Sequence, residues 1–90
     1  MRLVQSSVLS LTSTSAATRI TSTATYARRI DLRARAANAG TIYVGDSSVS
    51  TTTGYYMAAN NALSLDASRV DDLYFIPSAA TQTFNYLIWK

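Results

Sequence analysis

The chain has 90 residues and a formal net charge of +3, with no histidine and no cysteine. A chain of this length forms one small domain whose core alone gives only a small free energy of unfolding, so association with other subunits would add needed stability. The absence of imidazoles and thiols excludes Ser-His and Cys-His nucleophile pairs, disulfides, and zinc or iron–sulfur sites built from those ligands. We therefore expect no enzyme activity and no cofactor.

Positive charge is concentrated in the first part of the chain. Residues 1–35 contain six arginines and one aspartate, a net charge of +5, whereas residues 36–90 carry a net charge of −2. Such asymmetry is compatible with nucleic acid or with an acidic protein surface as the partner. No basic run exceeds two residues, however, and nucleic-acid sites usually concentrate Lys and Arg on one face with interleaved aromatic residues. The distribution therefore disfavours nucleic acid.

The first 25 residues are rich in Ser and Thr and are predicted to form an N-terminal arm or a first strand, followed by a β-sandwich domain over residues 26–90. Their composition is similar to that of a transit peptide, but an ordered arm or strand is the preferred interpretation. Residues 8–11 and 20–26 are candidate strands, and residues 13–18 are of low complexity. No apolar stretch approaches the length that spans a bilayer, so we expect no membrane partner.

The clearest strand covers residues 29–36, which alternate between an apolar and a polar face. The apolar face carries Ile30, Leu32, Ala34 and Ala36, and the polar face carries Arg29, Asp31, Arg33 and Arg35. The turn residues at 38–40 lead into the β-branched and aromatic run 41–45. We therefore predict that residues 29–36 and 41–45 form a hairpin.

Beyond this hairpin, short β segments alternate with turns. Asp46 ends the second strand by accepting hydrogen bonds from nearby amides. Residues 58–61 are a predicted turn, residues 62–65 a short strand, and residues 66–72 a helical turn capped by Asp66.

Two strands are predicted near the C-terminus, over residues 73–76 and 81–90. Pro77 has no amide hydrogen to donate, which places it at a strand end or edge. Neither face of the last strand is wholly polar, so both faces are predicted to be covered. Six to eight short strands joined by turns predict an all-β fold, a small antiparallel sandwich or roll with an extended N-terminal arm.

Three patterns with possible chemistry have simpler structural explanations. The glycines at 40 and 45 have the spacing that opens a P-loop, but Asp46 and Ser47 stand where Lys and Ser or Thr are needed. Asp71 and Asp72 are adjacent, so they would face opposite sides of a strand, and we interpret them as solvated turn carboxylates. The spacing of acidic ligands that calcium needs is missing around Asp46.

Two groups of residues are candidates for an interface. Three arginines share one strand face, which is typical of a solvated face or of a docking stripe for carboxylates on a partner. A Tyr-Tyr-Met run follows Gly54 in a predicted loop, and Trp89 precedes the last residue; these side chains suit either a subunit contact or packing within the fold. The candidate interface residues are Arg29, Arg33, Arg35, Tyr55, Tyr56, Met57 and Trp89.

Strand and turn residues recur through the second half of the chain, at residues 41–50, Gly54-Tyr55, residues 62–65, residues 72–76, residues 80–83 and Tyr86-Leu87. This run, from Ile42 to Leu87, resembles a pattern common in small structural proteins of tailed bacteriophages. Where such proteins often carry a Gly-containing turn, this chain has Ala58-Ala59-Asn60-Asn61. The resemblance implies a virion component of β-sandwich type, either a head decoration (cement) or a fibre-associated protein, and it implies no catalytic residue.

The leading hypothesis is a capsid cement protein on the capsid surface, which bridges major capsid subunits as a dimer or trimer and takes no small-molecule substrate. The alternative is a tail, collar or head-fibre component that joins virion parts or contacts the host. A third hypothesis, from another class, is a carbohydrate- or nucleic-acid-binding module that stacks its ligand on Tyr55, Tyr56 and Trp89.

Overall fold

In the computed structural model, the chain folds into two antiparallel four-stranded sheets that enclose one hydrophobic core. The structure describes residues 1–66 and 69–90 in full, and the backbone alone at the two residues between them. The strands are β1 (Leu3–Leu11), β2 (Thr18–Arg19), β3 (Tyr26–Ala34), β4 (Ile42–Gly45), β5 (Tyr55–Met57), β6 (Ala62–Arg69), β7 (Tyr74–Pro77) and β8 (Gln82–Trp89). The predicted all-β sandwich is confirmed.

The chain passes back and forth between the two sheets. Sheet 1 has the strand order β1-β8-β3-β6, and sheet 2 has the order β2-β7-β4-β5. In the part of the chain that the structure describes, every pairing is antiparallel, and β4 and β5 are the only consecutive strands that pair with each other. This topology places β8 and β3, which are far apart in the sequence, at the centre of sheet 1.

The predicted hairpin of residues 29–36 with residues 41–45 is wrong, because β3 and β4 belong to different sheets. The connection between them crosses from sheet 1 to sheet 2 and is held by Asn38. The Asn38 side-chain amide donates to the Thr83 carbonyl at 2.8 Å, and its oxygen accepts from the Thr83 amide at 2.9 Å. Asn38 therefore anchors the crossover to β8, and its backbone amide also donates to the Arg35 carbonyl at 3.2 Å, which closes a turn over residues 35–38.

The alternation predicted for β3 is confirmed. Ile30, Leu32 and Ala34 are buried in the core, although the strand ends at Ala34 and leaves Ala36 exposed. Across the core, the rings of Phe75 and Phe84 join the two sheets, with a distance of 4.5 Å between their centroids. Aromatic pairs at such distances add packing energy to the burial of their apolar area.

Residues 1–25, predicted to be an arm or a first strand, contribute one strand to each sheet. Strand β1 pairs with β8 from Leu3 opposite Trp89 to Leu11 opposite Gln82, with a bulge between Leu3 and Gln5. Strand β2 has only two residues. The strand predicted at residues 20–26 is wrong for residues 20–25, which form bends and irregular backbone, and only Tyr26 belongs to a strand, β3.

The helical turn predicted at residues 66–72 is shorter than expected. Residues 66–69 continue β6, and a 3₁₀ turn covers only Val70–Asp72. Val70 is fully buried, so its apolar side chain fixes this corner against the core.

Pro77 ends β7, as predicted. Strand β2 pairs with β7 only at Tyr74 and Phe75. The amide hydrogen that Pro77 lacks is therefore not needed for a hydrogen bond on the β2 side of β7.

Two turns of the fold depend on particular backbone positions. A Cβ atom on Gly54 would lie 2.6 Å from Tyr43 Cβ and 2.8 Å from Val49 Cγ2, so only glycine fits where the β4–β5 loop closes over Val49. Asn60 has a φ of 69°. Because Asn tolerates the left-handed region better than other side chains, it supplies the turn at 58–61 without glycine. The predicted turn is confirmed.

Candidate interaction surface

The candidate surface is the outer face of sheet 1, the side that points away from the core. Side chains directly opposite one another on neighbouring antiparallel strands share a face. The pairs on this face between β3 and β8 are Arg29 with Trp89, Asp31 with Leu87, and Arg33 with Asn85. Sheet 1 therefore brings Trp89 beside the arginine stripe, although the two are more than 50 residues apart.

At the centre of this face, Asp31 accepts hydrogen bonds from three side chains, which we call the Asp31 cluster. Ser64 Oγ donates to Asp31 Oδ1 at 2.6 Å, Trp89 Nε1 donates to Asp31 Oδ2 at 2.9 Å, and Arg29 Nη2 donates to the same oxygen at 3.0 Å. The Arg29 guanidinium also lies 5.2 Å from the centroid of the Trp89 ring, within the range of a cation–π contact. The cluster fixes Trp89 and Arg29 against the sheet.

The cluster stabilises the charged form of Asp31. The hydrogen bond from Ser64 contributes most to lowering the pKa of Asp31, burial opposes it, and the bonds from Trp89 and Arg29 add to the lowering. A carboxylate that accepts several hydrogen bonds holds its charge to lower pH. Asp31 is thus a structural carboxylate with its acceptor sites occupied.

Beyond the cluster, the outer face carries exposed positive charge. Arg33 and Arg35 are exposed, and Arg35 Nε donates to Asn85 Oδ1 at 3.0 Å. Arg29, in contrast, is half-buried and forms an ion pair with Asp31 at 3.0 Å. Of the three candidate arginines, Arg33 and Arg35 therefore present their charge to solvent, while Arg29 is engaged within the chain.

The outer face of β8 is only partly covered. Thr83, Leu87 and Trp89 are half-buried and Asn85 is exposed, whereas the inner side chains Phe84, Tyr86 and Ile88 are buried. The prediction that both faces of this strand are covered is therefore wrong for the single chain. The partly apolar, partly basic outer face is left accessible.

The tyrosines lie on a different sheet. Residues 55–57, predicted to be a loop, form β5 at the edge of sheet 2. Tyr55 and Tyr56 are exposed, and Tyr56 lies 6.5 Å from Tyr43, measured between ring centroids. Met57 is buried in the core, so its side chain packs inside the sandwich and does not reach a surface. The structure thus brings together the arginines and Trp89 but not the tyrosines.

Two features were missed by sequence reasoning. An open groove of about 860 Å³ lies at one end of sheet 1 and is lined by Met1, Tyr26, Ala27, Arg28, Asp66 and Lys90. These residues come from four strands or strand ends, and no local pattern links them.

The second missed feature is an anchored carboxylate at the corner between β6 and β7. Asp71 is buried, although the sequence was interpreted as placing it in solvent; its Oδ1 accepts from the Thr25 amide at 3.1 Å, and its Oδ2 accepts from Arg69 at 2.7 Å. The bond from Thr25 contributes most to lowering the pKa of Asp71, and Arg69 adds to it. Asp71 therefore has a structural role, tying the segment before β3 to this corner.

Within residues 1–66 and 69–90, no three acidic side chains come together in a way that would hold a metal ion. The same residues contain no helix of the length and apolarity that crosses a bilayer. The chain was compared with protein-family models, with curated proteins and with solved structures, and none of them matches. The function is therefore inferred from the residues, their geometry and the sequence pattern.

Proposed function

We propose that this chain is a non-enzymatic structural protein of a bacteriophage virion, and specifically a capsid decoration protein that bridges major capsid subunits. The observation that carries this proposal is the outer face of sheet 1. It combines the exposed guanidinium groups of Arg33 and Arg35 with the half-buried apolar side chains of Leu87 and Trp89. Arg, Trp and apolar side chains in one patch are typical of protein interfaces.

The virion assignment depends on the sequence pattern between Ile42 and Leu87. In such a role, the arginines bind carboxylates of the capsid surface in a bidentate manner, which gives both attraction and orientation. The Asp31 cluster holds Trp89 in place beside them, so little side-chain freedom is lost on docking. Many copies on one particle add their modest contacts together and oppose the internal pressure of the packaged DNA.

The proposal is tested by adding the purified chain back to virions stripped of it. We expect the wild-type chain to rebind and to restore resistance to heat and to low salt. The double variant Arg33→Glu and Arg35→Glu reverses the exposed charge, and we expect binding at least about tenfold weaker, because like charges then face each other across the interface.

A matched control is Arg2→Glu with Arg28→Glu, which changes the net charge equally through two exposed residues outside the pairs of the outer face. This control is expected to bind like the wild type. Unchanged virion survival without the protein would contradict a cementing role. A reconstruction with density along the tail axis, and none over the icosahedral shell, would assign the chain to the tail, collar or fibre alternative.

A further inference from the structure

The four edge strands of the two sheets differ in how they are protected from pairing with other chains. In sheet 2 the edges are β2 and β5, which have two and three residues. In sheet 1 one edge is β6, which carries the charged residues Asp66 and Arg69. Short length and charge are two of the devices by which natural sheets avoid edge-to-edge contact.

Strand β1, the other edge of sheet 1, has neither device. It has nine residues, and its sequence LVQSSVLSL contains no charged residue and no proline. Its one irregularity lies between Leu3 and Gln5, so residues 5–11 form a regular edge. Within the described chain, β8 is the only strand that pairs with β1.

The same strand exposes apolar side chains. Leu3, Val4 and Val8 are 43%, 47% and 44% exposed. A strand that pairs on one side only leaves every second residue with its N–H and C=O groups directed outward. Strand β1 thus combines open hydrogen-bonding groups, exposed apolar surface and no charge.

We infer that β1 pairs in antiparallel orientation with β1 of a second copy of this chain, which joins the two copies of sheet 1 into one continuous eight-stranded sheet. A two-fold axis near Ser7 places Ser7 opposite its own copy, Ser6 opposite Val8, and Gln5 opposite Leu9. No like charges oppose each other in this register, and Ser6, Ser7 and Val8 are already exposed. The edge of β1 in one copy can therefore pair with the same edge in a second copy without a charge clash.

The charges that flank β1 favour the antiparallel arrangement. Arg2 and Lys90 are joined by backbone hydrogen bonds at one end of the strand. In the antiparallel pair, Arg2 of one copy lies roughly 33 Å from Arg2 of the other, about ten residues along a strand and well beyond the Debye length at physiological salt. In a parallel pair these cations would lie side by side.

This inference does not rest on the proposed virion role, since it concerns the free chain in solution. Pairing along one strand edge buries less than the roughly 1,600 Å² of a standard interface, so we expect a dimer that dissociates at low concentration. The association should be visible by analytical ultracentrifugation between about 1 and 500 µM.

The first experiment is a cysteine scan, which the absence of native cysteine makes unambiguous. Ser6→Cys, Ser7→Cys and Val8→Cys are oxidised separately, with Ala37→Cys in an exposed turn as the control. Residues opposite each other across antiparallel strands have Cα atoms about 4.5–5.5 Å apart, within the span of a disulfide. We expect Ser7→Cys to form a covalent dimer fastest and the control slowest. Equal rates at all four positions would overturn the proposal.

The second experiment places like charges across the pairing. In the proposed register, the double variant Ser6→Lys and Val8→Lys sets each introduced lysine of one copy opposite an introduced lysine of the other, and we expect association at least about tenfold weaker. The control Ala36→Lys with Ala37→Lys adds the same charge in an exposed turn and is expected to dimerise like the wild type. A wild-type chain that stays monomeric throughout, or a dimer that the substitutions in β1 leave unchanged, contradicts the proposal.

Discussion

The two sheets of this molecule are held in different ways. Sheet 1 consists of strands of eight or nine residues that pair along nearly their whole length, with β8 and β3 at the centre. Sheet 2 consists of strands of two to four residues. Its stability must therefore come from the core beneath it and from its loops, while the long ladders of sheet 1 leave that sheet's outer face available for contacts.

The largest expected effect comes from the contact between the sheets. Phe75 and Phe84 are fully buried, and truncating either to Ala should lower the free energy of unfolding by about 3–5 kcal/mol, because a cavity replaces a ring. Phe75→Ala should also increase amide exchange in β7 before global unfolding, since sheet 2 has few ladder bonds to hold it. Urea denaturation and hydrogen exchange measure the two effects.

A chain this small can lose its fold altogether in the alanine variants. Phe75→Leu removes fewer buried atoms than Phe75→Ala, so we expect it to cost less than about 3 kcal/mol, and it then tests the same contact. Equal exchange in the two sheets of this variant would contradict the difference between them.

An intermediate effect is expected in the β4–β5 loop of sheet 2. Gly54→Ala sets a methyl group against Tyr43 Cβ and Val49 Cγ2, and we expect a loss of about 1–3 kcal/mol through overpacking. The comparison variant is Gly40→Ala, whose nearest contact is the Ser78 hydroxyl. Turning this hydroxyl away loses the bond that it accepts from the Thr41 amide, which should cost about 1 kcal/mol. Thermal unfolding should separate the two variants, and equal losses would show that the loop relaxes around the methyl group.

The smallest effect is expected on the outer face of sheet 1. Asp31→Asn removes the charge of the Asp31 cluster and should cost less than about 1 kcal/mol at neutral pH, as for partly exposed ion pairs. Since the pKa of Asp31 lies below its unfolded value of 3.8, the advantage of the wild type is fully present above pH 3.8 and is lost as the pH falls through the folded value. Urea denaturation at several pH values measures this loss.

Ser64→Ala sharpens the same prediction. It removes the bond that contributes most to the lowered pKa of Asp31, so an NMR titration should show that pKa moving back towards 3.8. A titration identical to that of the wild type would show that the Ser64 bond does not control the carboxylate.

Local patterns in the sequence predicted where strands and turns lie better than they predicted which strands pair with each other. The alternation of apolar and polar residues in β3 was sufficient to place the arginines on one face. The turn residues around Asn38 did not reveal which sheet the following strand joins, because turn chemistry is local and sheet membership depends on the whole core. Residues 55–57 form a strand only because β4 is available as a neighbour, which the sequence around them does not show.

The candidate surface was partly predictable for the same reason. The arginine stripe follows from the two-residue period of a strand. The Asp31 cluster joins β3 to Ser64 and Trp89, which are 33 and 58 residues away, and no spacing rule links such positions. Asp71 was misjudged because the Thr25 amide that it binds lies 46 residues earlier.

The position of β8 between β1 and β3 has a consequence for the order in which the molecule assembles. The residues that pair β1 with β8 are more than 70 positions apart, and chains dominated by such distant pairings fold over milliseconds to seconds. Strands β3 to β7 can pair with one another without β8, whereas β1 has no pairing strand in the described chain until β8 has emerged from the ribosome. During that interval the apolar residues of β1 are open to chaperones and to other nascent chains.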